Sequence, residues 1–165
     1  MLRRDVRIGS ALAGVMLLLA FAASLAMAAE VSRDEYKAAV EPICKQNVEA
    51  DSRILKGVRR EVKQGELKKA GVKFAKAAAA LQEAYRELST VPQPTADETR
   101  LGKWLGYIKT EVKYLREASQ ALKAGDKHKL PRIQVQLERY VRLANNEVLP
   151  FDFRYCKSKP ASSYT

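Results

Sequence analysis

Residues 67–88 read LKKAGVKFAKAAAALQEAYREL, the most regular period in the chain. Leu67, Phe74, Leu81 and Leu88 lie seven apart, with Gly71, Ala78 and Tyr85 four residues after the first three. Steps of four and three gather apolar side chains onto one stripe of a helix, the seam of a coiled-coil-like contact. A helix with one apolar stripe and a charged remainder is stable only when that stripe is covered. Its neighbours in sequence therefore decide the fold.

On the N-terminal side, Ser32 and Glu35 have the spacing of a capping box, in which each side chain satisfies the other's free backbone N–H. They open a helix carrying Tyr36, Val40, Ile43, Asn47, Ala50, Ile54 and Val58 on one face. Pro42 is expected to kink or restart it, and Gly65 to end it. On the other side, Val91-Pro92-Gln93-Pro94 forbids helix. Thr95 and Glu98 repeat the capping-box spacing and open a third helix with Leu101, Trp104, Leu105, Ile108, Val112, Leu115 and Leu122 on one face. Gly125 closes it. A fourth helix, from about Asp126 or Leu130, carries Ile133, Leu137, Tyr140, Val141, Ala144 and Val148. Short connections make antiparallel neighbours, so the sequence predicts an all-α, antiparallel up-down-up-down four-helix bundle over residues 29–157.

The N-terminus reads differently. Arg3, Arg4 and Arg7 precede an apolar run from Ala11 to Leu25, and Ala26-Met27-Ala28 has the small-x-small pattern of a signal-peptidase site. Residues 1–28 are thus a predicted signal peptide, removed after Ala28. Left uncut, Ala11–Ala29 would approach the ~20 residues of a membrane anchor. The predicted location is exported: periplasmic, extracellular or wall-associated. Residues 158–165 read as a flexible tail.

Export makes the two cysteines legible. An even pair in an oxidising compartment is expected to be bridged, and Cys44–Cys156 is the one intramolecular connectivity, with pairing between chains as the alternative. The bundle topology returns the end of the fourth helix to the start of the first, where these two residues lie.

Tyr36, Cys44 and Asn47 in the first helix, Trp104-Leu105 in the third, the Gly125-Asp126 turn and a last cysteine near the terminus form a pattern. It resembles a group of small, uncharacterised secreted bacterial helical proteins with an early-helix cysteine and a C-terminal one. The resemblance implies the bundle and the bridge, and it implies no activity.

Much chemistry is excluded by composition. The single histidine, His128, rules out bis-histidine haem ligation, and all three methionines lie in the predicted leader. There is no Cys-x-x-Cys-His for covalent haem and no paired Glu-x-x-His for a di-iron site. Bridged cysteines offer no thiolate nucleophile. No cofactor, metal or enzymatic activity is predicted, and His128 reads as a solvated residue in a basic turn.

Charge placement is the positive signal. The chain has 30 Lys and Arg against 19 Asp and Glu. Between Arg53 and Lys76 there are nine bases and two acids, and between Lys123 and Arg132 four bases and one acid. The predicted topology puts both stretches at one end, leaving the rest of the mature chain close to neutral. A pole of this kind attracts polyanions, more strongly at low salt. The anion-binding candidates are Arg59, Arg60, Lys63, Lys68, Lys69, Lys73, Lys127 and Lys129. The expected partner is an anionic envelope polymer, a lipid headgroup or an acidic protein, not nucleic acid. The leading expectation is a non-enzymatic binding or scaffold module at the cell envelope.

The alternative is a small-ligand carrier or sensor with a pocket between helices, prompted by the small residues Gly71, Ala75 and Ala77–Ala80, which leave space or permit close helix contact. Phe151, Phe153 and Tyr155 alternate with polar residues as in an extended segment and are expected to cover the open end of the core. Asn47, on an apolar stripe, is expected to fix helix register or to bond the tail backbone.

Overall fold

A computed structural model describes residues 30–158. The predicted leader with Ala26 and Ala28, and residues 159–165, lie outside the described residues. The elements are α1 (Arg33–Ile54), α2 (Val58–Lys63), α3 (Leu67–Leu88), α4 (Glu98–Ala124) and α5 (Leu130–Glu147), with 3-10 turns at Thr95–Asp97, Lys127–Lys129 and Leu149–Phe151. Four long helices alternate in direction, with no strand among the described residues, so the predicted architecture is the observed one.

Ser32 starts α1 as expected: its Oγ accepts from the Glu35 N–H at 3.2 Å, and Glu35 Oε2 accepts from the Ser32 N–H at 2.8 Å. Pro42 neither breaks nor restarts α1, which runs unbroken through it. The helix ends earlier than its stripe suggested. Gly57 takes the left-handed region at φ +78°, and the chain re-enters helix as the short α2. This break lets both Leu55 and Val58 reach the core with Ala70, Ala77 and Leu122. The second predicted capping box does not form, because Thr95 is in the 3-10 turn and the first residue of α4 is Glu98 itself.

Asp97, buried at that entry, takes another role. The exposed Arg33 donates to both of its oxygens at 2.6 and 2.7 Å, tying the start of α1 to the start of α4. The guanidinium holds the Asp97 carboxyl below the usual carboxylate range through hydrogen bonding, against the opposing effect of desolvation.

The main core surrounds Tyr36, Val40, Leu88, Leu101, Trp104 and Val112, all buried. α3 packs on α4 through its small residues. A Cβ placed on Gly71 would stand 2.9 Å from the Ser119 carbonyl oxygen and 2.8 Å from Lys123 Cγ. The Ser119 hydroxyl donates to the Gly71 carbonyl at 2.7 Å across the same contact. Gly71 therefore serves close approach, and Ala70, Ala77 and Ala78 are buried on the same helix.

α1 packs on α3, α3 on α4 and α4 on α5, but α1 and α5 stay apart. Near one pole the C-terminal segment fills the gap between them. Phe151 and Phe153 are buried, with ring centroids 6.1 and 6.5 Å from Tyr36, and Phe153 lies 5.8 Å from Trp104. The segment is a 3-10 turn followed by Asp152 at φ +47°, not the extended run its alternation suggested. The Glu41 carboxylate accepts from the backbone N–H of Arg154 and of Tyr155, and Cys156 is bonded to Cys44 with Cα atoms 5.0 Å apart. Asn145 and the Ser158 backbone exchange two hydrogen bonds of 2.9 Å, so the docked segment extends one residue past the predicted boundary. It is Asn145, not Asn47, that holds the tail backbone.

Candidate functional site

Beyond the docked tail, the gap between α1 and α5 is unfilled. It forms a cavity of about 400 Å³ bounded by α1, α2 and α5, with α3 and α4 behind. Its apolar walls come from Leu55 and Val58, Phe74 and Leu81, Leu115 and Ala118, and Ile133 and Leu137. The stripes predicted from sequence supply most of these residues. The alanine-rich part of α3 supplies none, so the space arises from an unclosed helix pair rather than from small side chains.

Two carboxyl groups and two amides, Asn47 and Gln134, line this space; the Gln134 amide donates to Glu138 at 3.1 Å. Asn47 and Asp51 are one turn apart on α1, and Glu111 reaches in from the middle of α4. Asn47 Oδ1, Asp51 Oδ1 and Glu111 Oε1 are buried with no hydrogen-bond partner. Glu111 is 3 % exposed. Burial pushes its carboxyl up to about 8; the nearby Asp51 charge adds to the rise, and the Ser158 hydroxyl pulls the other way. Burial likewise pushes Asp51 up to about 7. An unpaired buried polar atom is costly, and native structures satisfy nearly all of them. Three such atoms line this one cavity.

Sequence reasoning missed both acids. Glu111 was findable: Ile108, Glu111 and Leu115 follow the three- and four-residue steps of the apolar stripe, so a charge there had to be buried. Asp51 gave a weaker signal, since it lies beside the predicted α1 stripe, four residues after Asn47 and four before Leu55. Asn47 was noticed but assigned to register or to the tail.

The predicted anion-binding residues share one pole. The turn between α2 and α3 faces the turn between α4 and α5, with a shallow depression between Gly65–Lys69 and Leu122–Gly125. The eight do not stand alike. Lys73 donates to Glu61 at 2.7 Å and to the Lys56 carbonyl at 2.6 Å. Lys69 pairs with Glu61 and Glu66, and Lys129 with Asp126. Glu61 is itself buried and, held by these lysines, fastens α2 to α3. Among the described residues, Arg59, Arg60, Lys63, Lys68 and Lys127 make no ion pair, and Arg59, Lys63 and Lys127 also line the cavity. His128 is exposed in the turn beside them.

Among the described residues, no group of three or more His, Cys, Asp or Glu side chains is placed to hold a metal ion. Nor is any helix among them long and apolar enough to cross a membrane. Comparisons with protein-family models, curated proteins and solved structures return no match.

Proposed function

We propose that this chain is an exported, non-enzymatic carrier or sensor that holds a small molecule between α1 and α5. The observation carrying this reading is the cavity: about 400 Å³, apolar-walled, with unpartnered polar atoms facing it. Small-molecule sites are typically concave, ~300–1,000 Å³, mostly apolar and furnished with a few placed polar groups. The intramolecular disulfide is compatible with export.

The neutral fluorophore N-phenyl-1-naphthylamine tests the cavity directly. It is expected to bind the full mature chain 1:1, with micromolar affinity on the order of that usual for such sites. A graded series, Ala118→Leu and Ala118→Phe, fills the space from α4 and is expected to weaken binding stepwise while near-ultraviolet circular dichroism stays native. Equal binding by all three proteins would place the fluorophore elsewhere and remove the proposal.

A second reading rests on the shared position of the two basic turns. The pole formed by Arg59, Arg60, Lys63 and Lys68 would hold the protein to an anionic envelope polymer, lipid headgroup or acidic protein. Reversing these four to Glu leaves the ion pairs of Lys69, Lys73 and Lys129 intact. It is expected to abolish salt-sensitive retention on anionic vesicles or resin. Retention equal to the parent's would make the pole a solvated surface only.

A further inference from the structure

The three orphaned atoms restrict what the cavity accepts, and this inference rests on the small-ligand reading above. All three are oxygens that accept; Asn47 and Asp51 stand one turn apart on α1, and Asp51 is close enough to Glu111 for its charge to act on that carboxyl. From Glu111 to Leu122, the length of α4 along the wall, is about 16 Å at 1.5 Å rise per residue. The remaining walls are aliphatic and aromatic apart from Gln134, Ser158 and the basic residues. A bare metal ion would leave the walls unfilled, and a purely apolar molecule would leave the oxygens unpaired in a dry site.

We infer that the cavity takes an organic ammonium or amidinium: an elongated apolar body whose cationic head enters first and donates to Asn47, Asp51 and Glu111. An ammonium presents three donors, matching three unpartnered acceptors. Each charge-assisted bond would remove a buried, unsatisfied oxygen. The second observation, independent of the acids being near one another, is Glu111 itself: almost wholly buried, facing the cavity, with Oε1 unpaired.

The other charged groups facing the space are Arg59 and Lys63 from α2 and Lys127 from the last turn; α3 and α5 contribute none. These bases slow the approach of a cation and favour an anionic group, if the ligand carries one, at the outer end. At neutral pH the empty site holds Glu111 largely protonated, so binding the cation expels a proton. Affinity for an amine must therefore climb as pH rises through the range where Glu111 and Asp51 ionise. A ligand that accepted a hydrogen bond from protonated carboxyls would show the opposite slope.

Calorimetric titration of the full mature, disulfide-intact chain with octylamine, octanol and octanoate, at pH 6 and pH 8.5, tests this. The expected result is 1:1 octylamine binding that tightens by on the order of ten- to a hundredfold across that interval, with proton release visible in buffers of different ionisation enthalpy. Glu111→Gln is expected to weaken octylamine binding at pH 8.5 by at least about tenfold, the weight of one charge-assisted bond. It should flatten the pH dependence while near-ultraviolet circular dichroism stays native. Octanol or octanoate binding as tightly as the amine at pH 8.5 would overturn the assignment, as would amine binding indifferent to Glu111→Gln. If none of the three binds while the fluorophore does, the ammonium assignment falls and the cavity reading stands. Failure of the fluorophore as well removes both.

Discussion

The double variant Cys44→Ser/Cys156→Ser is expected to unfold about 15–20 °C below the parent, with a larger dependence on denaturant. The bridge joins residues 112 apart in sequence. In the chain-entropy account, a loop of that length restricts the unfolded chain by about 4–5 kcal/mol, an upper-end figure. For a domain of this size each kcal/mol shifts the midpoint by roughly 4 °C. The loss should be close to the full loop term, because the bridge holds the buried aromatic segment between α1 and the core. Thermal and urea unfolding of the double variant, and of the parent in reductant, measure it. A difference under about 1 kcal/mol would mean that Glu41, Asn145 and the buried phenylalanines hold the tail without the bridge.

Glu111→Gln is expected to stabilise the ligand-free protein at pH 8 by about 4 kcal/mol and to change little at pH 4. The direction follows from the carboxyl's two environments. Unfolded, it ionises near its ordinary value of 4.5; folded, it keeps its proton until about pH 8. A carboxyl raised in this way contributes fully below its unfolded pKa, and the contribution drains away as pH climbs toward the folded one. Asp51, raised to about 7, acts in the same sense over a slightly lower window. Asp97, Asp126, Glu35 and Glu61, all lowered by their partners, act oppositely: their contribution is lost only as pH falls below the ordinary carboxylate range. Urea unfolding of both proteins from pH 4 to pH 8.5 should show two curves that meet in acid and separate in base. Parallel curves would mean that Glu111 titrates alike in the folded and unfolded protein.

The bundle was legible because its signals are local and redundant. The period of α3, the Ser32–Glu35 cap, the Val91–Pro94 interruption and the glycine at 125 each bear on their own few residues, and all agree. The disulfide was legible because topology and a count of two cysteines leave one intramolecular pairing. What stayed hidden depends on how helices stand relative to one another. Stripes say that each helix must be covered, not that α1 and α5 would fail to cover each other. Because that pair stands apart, Asp51 and Glu111 face a cavity rather than a covering helix. The basic residues show the same limit. Clustering was visible in the sequence, but which of them are spent on Glu61, Glu66 and Asp126 is a matter of three-dimensional pairing.

The grip on α1 is lopsided, and that has a consequence. The Arg33–Asp97 pair, the Glu41 contacts and the bridge at Cys44 all act on its first twelve residues, near the pole the tail wedges shut. Resistance to denaturation is thus concentrated away from Asn47, Asp51 and Leu55. Substitutions at those residues are expected to leave the clasp that keeps the molecule together unloosened.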